Sequence, residues 1–112
     1  MTSDITDQYM KRQLERSRTY TLVVLRPGPR HGDPGTERIV WEHGRRNFAL
    51  RADGVLAVVC PVGDDSVSGV GIFDADTTRT REIMDGDPGV RAGVFVYDVH
   101  TCRGFPGDTL PD

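Results

Sequence analysis

Four segments of this chain are rich in apolar, β-branched and aromatic residues over six or seven positions, which is typical of β-strands. The segments are 19–25, 55–60, 67–73 and 94–100. In the third, Gly69 and Gly71 fall on one face because side chains alternate along a strand. Two missing side chains leave a space there, either for close packing or for a ligand.

Two further segments carry apolar residues at helical spacing. The first predicted helix begins at Thr36, runs to about Ala52 and is stopped by Gly54. The second has Asp76 as its N-cap and extends through Met84. Strands and helices therefore alternate as β-α-β-β-α-β. This order predicts an α+β fold of the ferredoxin-like, split-βαβ (βαββαβ) type, a sandwich with four antiparallel strands and both helices on one face. The tail from 101 onwards is expected to be irregular.

One face of the first helix carries polar residues where an apolar core is expected. Four residues share this face by their spacing: Val40, His43, Asn47 and Leu50. Two of the four are polar, which is unusual for a buried surface. The arginines of this helix are expected on its solvated face: Arg45, Arg46 and Arg51.

Length and composition limit the possible functions. At 112 residues the chain is expected to form one domain at 19–107, with a polar N-terminal extension at 1–18 and a short tail at 108–112. A net charge of −3 with interspersed signs disfavours nucleic acid and anionic lipid as partners. No apolar run is long enough for a signal peptide or a membrane span, so a cytoplasmic location is expected.

The cysteines do not suggest a metal site or a disulfide framework. Cys60 and Cys102 are distant in sequence and neither belongs to a CxxC pair. We therefore expect free thiols and no bound metal.

Two stretches taken together resemble the YciI-like family. In 41–61 (WEHGRRNFALRADGVLAVVCP), His43 is followed by Gly54, a short apolar strand and Pro61. In 85–97 (DGDPGVRAGVFVY), an Asp-Pro pair at 87–88 precedes a glycine that enters the last strand. The resemblance covers about residues 19–107.

This resemblance implies a homodimer of the dimeric α+β barrel type, whose relatives include muconolactone isomerases and small monooxygenases. It also implies a site centred on a histidine and an aspartate, which correspond to His43 and Asp87. One group of the family eliminates HCl from chlorinated hydroxyquinones. The chain departs from the family at Cys60, where glycine is usual, and at Gly89, where a bulky residue is usual.

From these features we expect a cofactor-independent enzyme of lyase or isomerase type that acts on a small oxygenated cyclic or aromatic molecule. His43 would transfer a proton, Asp87 would orient it, and Asn47 would contact the substrate. His43 and Asp87 should then lie within hydrogen-bond reach on the wall of a cavity.

Other interpretations of the same residues stay open. His43 could be a core histidine that bonds a backbone carbonyl, and Asp87 could be a helix N-cap before Pro88, a role compatible with catalysis. The whole protein could be a non-catalytic dimeric module that binds a small ligand or partner, or a cofactor-free monooxygenase.

Overall fold

A computed structural model describes residues 4–112. Its helices and strands, in chain order, are α1 (Asp7–Arg16), β1 (Arg18–Pro27), α2 (Glu37–Ala52), β2 (Leu56–Pro61), β3 (Gly69–Phe73), α3 (Thr77–Asp85), α4 (Pro88–Arg91) and β4 (Phe95–Gly104).

The four strands form one antiparallel sheet in the order β2-β3-β1-β4. Val23 of β1 lies opposite Gly71 on one side and Val99 on the other, so these three residues share a face of the sheet. α2 packs against β2 and α3 packs against β4 on this same face. The arrangement is the expected ferredoxin-like α+β fold.

The core lies between this face and the helices. Its buried hydrophobic residues are Val23, Leu25, Leu56, Phe73, Ile83, Met84, Val94 and Phe95. Ile39 and Leu50 of α2 pack against this cluster, whereas Val40 is 40% exposed. The packed face of α2 is therefore offset by about one position from the predicted one. It follows the spacing Ile39, His43, Arg46 and Leu50.

The polar N-terminal extension contains a helix, α1, in agreement with the loose helical spacing of Ile5, Tyr9, Met10 and Leu14; its N-cap Thr6 accepts a hydrogen bond from the Tyr9 backbone N–H. Two other features differ from the sequence prediction. The expected irregular tail is wrong for residues 101–104. There β4 continues to Gly104 because β1 begins at Arg18 and offers backbone partners along its whole length. Between α3 and β4 the chain forms the short helix α4, which the expected β-α-β-β-α-β order does not include. No helix of residues 4–112 is both long and apolar enough to cross a membrane.

Candidate active site

His43 and Asp87 are in direct contact, although 44 residues separate them in the chain. Nδ1 of His43 lies 2.9 Å from both carboxylate oxygens of Asp87. The His43 side chain is 11% exposed and that of Asp87 only 1%. The contact expected from the sequence is confirmed.

Asp87 also begins α4. Its Oδ2 accepts hydrogen bonds from the backbone N–H groups of Gly89 at 2.9 Å and Val90 at 3.1 Å, and Pro88 occupies the first helical position. The carboxylate therefore caps the helix and binds the imidazole at once. An ionised carboxylate can only accept, so it assigns the donor hydrogen to Nδ1 of His43.

Asn47 lies one helical turn beyond His43 and contacts the other ring nitrogen. Its Nδ2 amide is 3.2 Å from Nε2 of His43. With the hydrogen on Nδ1, Nε2 carries a lone pair and accepts from this amide. If His43 is protonated, rotation of the amide presents Oδ1 to the new Nε2–H, so Asn47 suits both charge states.

Arg46 belongs to this site, contrary to the solvated position expected from the sequence. Its Nη1 donates to the Ile83 carbonyl at 2.7 Å and lies 3.8 Å from Oδ1 of Asp87. It thus joins α2 to the last turn of α3 and places a positive charge beside the buried carboxylate. The sequence pattern that could have placed Arg46 on the inner face of α2 is its helical spacing with Ile39, His43 and Leu50. By contrast, Arg45 is exposed and pairs with Glu42 at 3.1 Å, as expected of a solvated face.

Phe95 supports the His43 ring from the start of β4. The two ring centroids are 4.8 Å apart, and His31 approaches the same phenyl ring at 5.9 Å. Gly89 makes this packing possible, because a Cβ added there would lie 2.6 Å from Cδ2 of Phe95 and 3.0 Å from Oδ2 of Asp87. The glycine that departs from the YciI-like pattern is therefore required by this phenylalanine.

A cavity of about 650 Å³ opens between α2 and the strands β2 and β3. His43, Asn47 and Phe95 line it, as do Gly69 and Gly71. The expected position of Asp87 on the cavity wall is wrong, because its carboxylate is buried behind the His43 ring and against the first turn of α4. A Cβ added at Gly69 would lie 3.2 Å from the backbone oxygen of Cys60. A Cβ added at Gly71 would lie 3.2 Å from Cδ1 of Leu56. Both glycines therefore serve close packing as well as the cavity. Residues 108–110 of the C-terminal tail also reach its wall.

A second cleft of about 640 Å³ lies on the outer flank of α2, beside the exposed Trp41 and Phe48. Neither His43 nor Asp87 lines it. We place the candidate site in the first cavity because His43, which contacts Asp87, lines it together with Asn47.

Within residues 4–112 no group of three or more His, Cys, Asp and Glu side chains is placed to hold a metal ion. Cys60 and Cys102 are both free thiols.

No protein-family profile and no curated protein matches the chain. Among solved structures it is similar to 5-chloro-2-hydroxyhydroquinone dehydrochlorinase from Burkholderia phenoliruptrix AC1100, in complex with 2,5-dihydroxybenzoquinone. The identity is 17%, the match covers 71% of this chain and 90% of that one, and the TM-score is 0.47.

Proposed function

We propose that this protein is a small cofactor-independent enzyme that moves a proton on an oxygenated cyclic or aromatic molecule, in an elimination or isomerisation. The observation that carries the proposal is the buried contact between Nδ1 of His43 and Asp87 at 2.9 Å, in a histidine that also lines a cavity. We also propose that the chain belongs to the YciI-like family, on the two sequence stretches described above.

In this mechanism Nε2 of His43 is the atom that takes or gives the proton. Asp87 holds the tautomer that leaves the Nε2 lone pair facing the cavity, and its charge stabilises the imidazolium that forms. Because Asp87 does not line the cavity, it is a positioning residue. When the substrate binds, the Asn47 amide gives up its hydrogen bond to Nε2 of His43. The amide can then form a hydrogen bond with a polar substituent of the substrate.

A second candidate is a binding module that performs no chemistry. It is favoured by the fact that both ring nitrogens of His43 already have partners and that, in residues 4–112, every buried side-chain nitrogen and oxygen is hydrogen-bonded. His43 and Asn47 would then recognise a ligand through hydrogen bonds alone.

We further propose a homodimer built through the open face of the sheet. The apolar side chains on this face are Leu22, Val24, Val58, Val70, Ile72 and Val96. The helices α2 and α3 do not cover them, since both pack on the opposite face of the sheet with the core. An apolar sheet face left to solvent is typical of a contact surface between subunits.

The enzyme proposal is tested by incubating the protein in D₂O with a panel of ring ketones, hydroquinones and halogenated hydroquinones. Proton NMR reports loss of C–H signals, an electrode reports released halide, and an oxygen electrode identifies monooxygenase activity. The rate should fall at least ~100-fold in His43→Gln. His31→Gln is the matched control, because His31 also contacts Phe95 but does not line the His43 cavity. Saturable binding without turnover, or equal rates in the wild type and His43→Gln, would favour the binding module.

A further inference from the structure

Three polar side chains follow one another along the cavity wall. His43, Asn47 and Arg51 stand four residues apart on α2, and all three line the cavity. At 1.5 Å rise per residue, their Cα atoms are spaced about 6 Å apart along the helix axis, so the Cα of Arg51 lies about 12 Å along the axis from the Cα of His43. His43 is buried and Arg51 is exposed, so the row leads from the candidate reactive group towards the mouth of the cavity.

Within residues 4–112, Arg51 differs from the other arginines of α2 in forming no ion pair with a carboxylate. Arg38 and Arg45 both pair with Glu42, and Arg46 lies beside Asp87. None of the ion pairs formed among residues 4–112 includes Arg51. Long side chains on a helix tend to lean towards its N-terminus, and this tendency favours a position of the Arg51 guanidinium on the side of Asn47.

The rest of the cavity is suited to an apolar ring. Val23, Leu56 and Phe73 contribute to the wall, and Asp108 of the exposed tail is the one acidic side chain among the residues that line it. Asp108 forms no ion pair with Arg51 within 4 Å. The cavity wall is therefore apolar in its middle part, with the imidazole of His43 at one end and the guanidinium of Arg51 at the other.

We propose that Arg51 is a specificity residue that binds the carboxylate of a hydroxylated aromatic acid, while the ring hydroxyl at the far end of the molecule reaches His43. This inference rests on the proposed function and adds the substrate class to it. A planar guanidinium matches a carboxylate with two parallel N–H···O bonds. Asn47, midway along the row, contacts the molecule between its two polar ends.

Isothermal titration calorimetry with three probes tests the assignment: para-hydroxybenzoate, its amide para-hydroxybenzamide, and para-hydroxybenzylamine. The wild type should bind the acid about tenfold more tightly than the amide, which is the effect of one charge-assisted contact. Arg51→Gln should remove this preference. Arg38→Gln, an equal charge change on the same helix outside the cavity, should keep it. Because Arg51 also lies in the last turn of α2, circular dichroism of each variant verifies the fold.

Three results would overturn the inference: tighter binding of the amine, absence of binding by the acid, or a preference for the acid that persists in Arg51→Gln. His43→Gln separates this inference from the proposed function. If His43→Gln still prefers the acid but the wild type turns over no compound of the substrate panel, the carboxylate site at Arg51 is supported and the enzyme proposal fails. If turnover depends on His43 but the wild type binds acid and amide equally, only the Arg51 assignment fails.

Discussion

Asp87 binds His43 and the first turn of α4 with a single buried carboxylate. Both of its oxygens lie 2.9 Å from Nδ1 of His43, and one of them also accepts from two backbone N–H groups. The position of the imidazole is thereby tied to a helix terminus. The precision of the candidate site consequently depends on the short helix as well as on the pair itself.

Replacing Asp87 by Asn tests the contact with the imidazole rather than the helix cap, because Asn caps helices about as well as Asp. The neutral amide cannot serve the backbone and the Nδ1 hydrogen as the carboxylate does, so the wrong tautomer of His43 becomes favourable. We expect activity to fall at least ~100-fold and stability to drop by ~1–3 kcal/mol. Asp76→Asn, at the exposed N-cap of α3, should change neither much. Denaturant unfolding measures the stability, and the proton NMR assay in D₂O measures the activity. Equal effects of Asp87→Asn and Asp76→Asn would contradict the role of Asp87 in positioning His43.

Arg46→Gln should destabilise the fold by ~1–3 kcal/mol, because the Ile83 carbonyl loses the shorter of its two hydrogen bonds and the buried Asp87 loses a nearby positive charge. Arg45→Gln, one residue earlier and exposed, should stay within ~0.5 kcal/mol of the wild type. Urea unfolding of the two variants side by side provides the measurement. Similar midpoints for both would mean that Arg46 is as dispensable as a solvated arginine.

Gly89→Ala should disturb the site although it adds only one methyl group. The new Cβ would meet Phe95 at 2.6 Å and Asp87 at 3.0 Å, and overpacking of this kind costs ~1–3 kcal/mol. The Phe95 ring would shift, and with it the support of His43. Gly63→Ala is the control, since a Cβ there meets nothing within 4 Å. Thermal unfolding and the NMR signals of the His43 ring report the change, and an unaltered His43 spectrum in Gly89→Ala would count against this packing.

Alkaline pH should weaken the fold through Tyr97. Partial burial and a 2.6 Å hydrogen bond to Asp85 raise the pKa of Tyr97 from 10.0 to about 12. The folded state therefore holds this proton more tightly than the unfolded state. The stabilisation is complete below pH 10, the unfolded value, and is lost as pH rises towards 12. Unfolding free energies measured between pH 9 and pH 12 should fall more steeply in the wild type than in Tyr97→Phe, and parallel curves would rule the effect out.

The proposed dimer should have twice the chain mass of 12.4 kDa in light scattering at micromolar concentration. Ile72→Glu places a charge on the open face of the sheet and should give monomers, because burying an unpaired carboxylate is unfavourable. Ala49→Glu, on the exposed surface of α2, is the matched control and should stay dimeric. A monomeric wild-type protein would remove the proposal.

The sequence by itself determined the elements whose cause is local. The β-branched run at 19–25 lies within β1, and Asp76 caps α3 by accepting from the Arg79 N–H, as its position before a helical pattern predicts. The order of these elements was sufficient for the ferredoxin-like topology, because a hairpin between two crossovers has few other ways to form one sheet. The position of His43 on the inner face of α2 could also be predicted, because helical spacing is a local property of the sequence.

Tertiary structure decided what depends on partners distant in the chain. β4 extends to Gly104 because β1 supplies its hydrogen bonds, which the irregular side-chain pattern of 101–104 does not reveal. Arg46 was expected on the solvated face, but α3 brings the Ile83 carbonyl to it. The departure from the family pattern at Gly89 has its reason in Phe95, whose ring fills the space beside it. These contacts join separate elements, so their energies depend on how the elements pack and not on the propensity of any one segment.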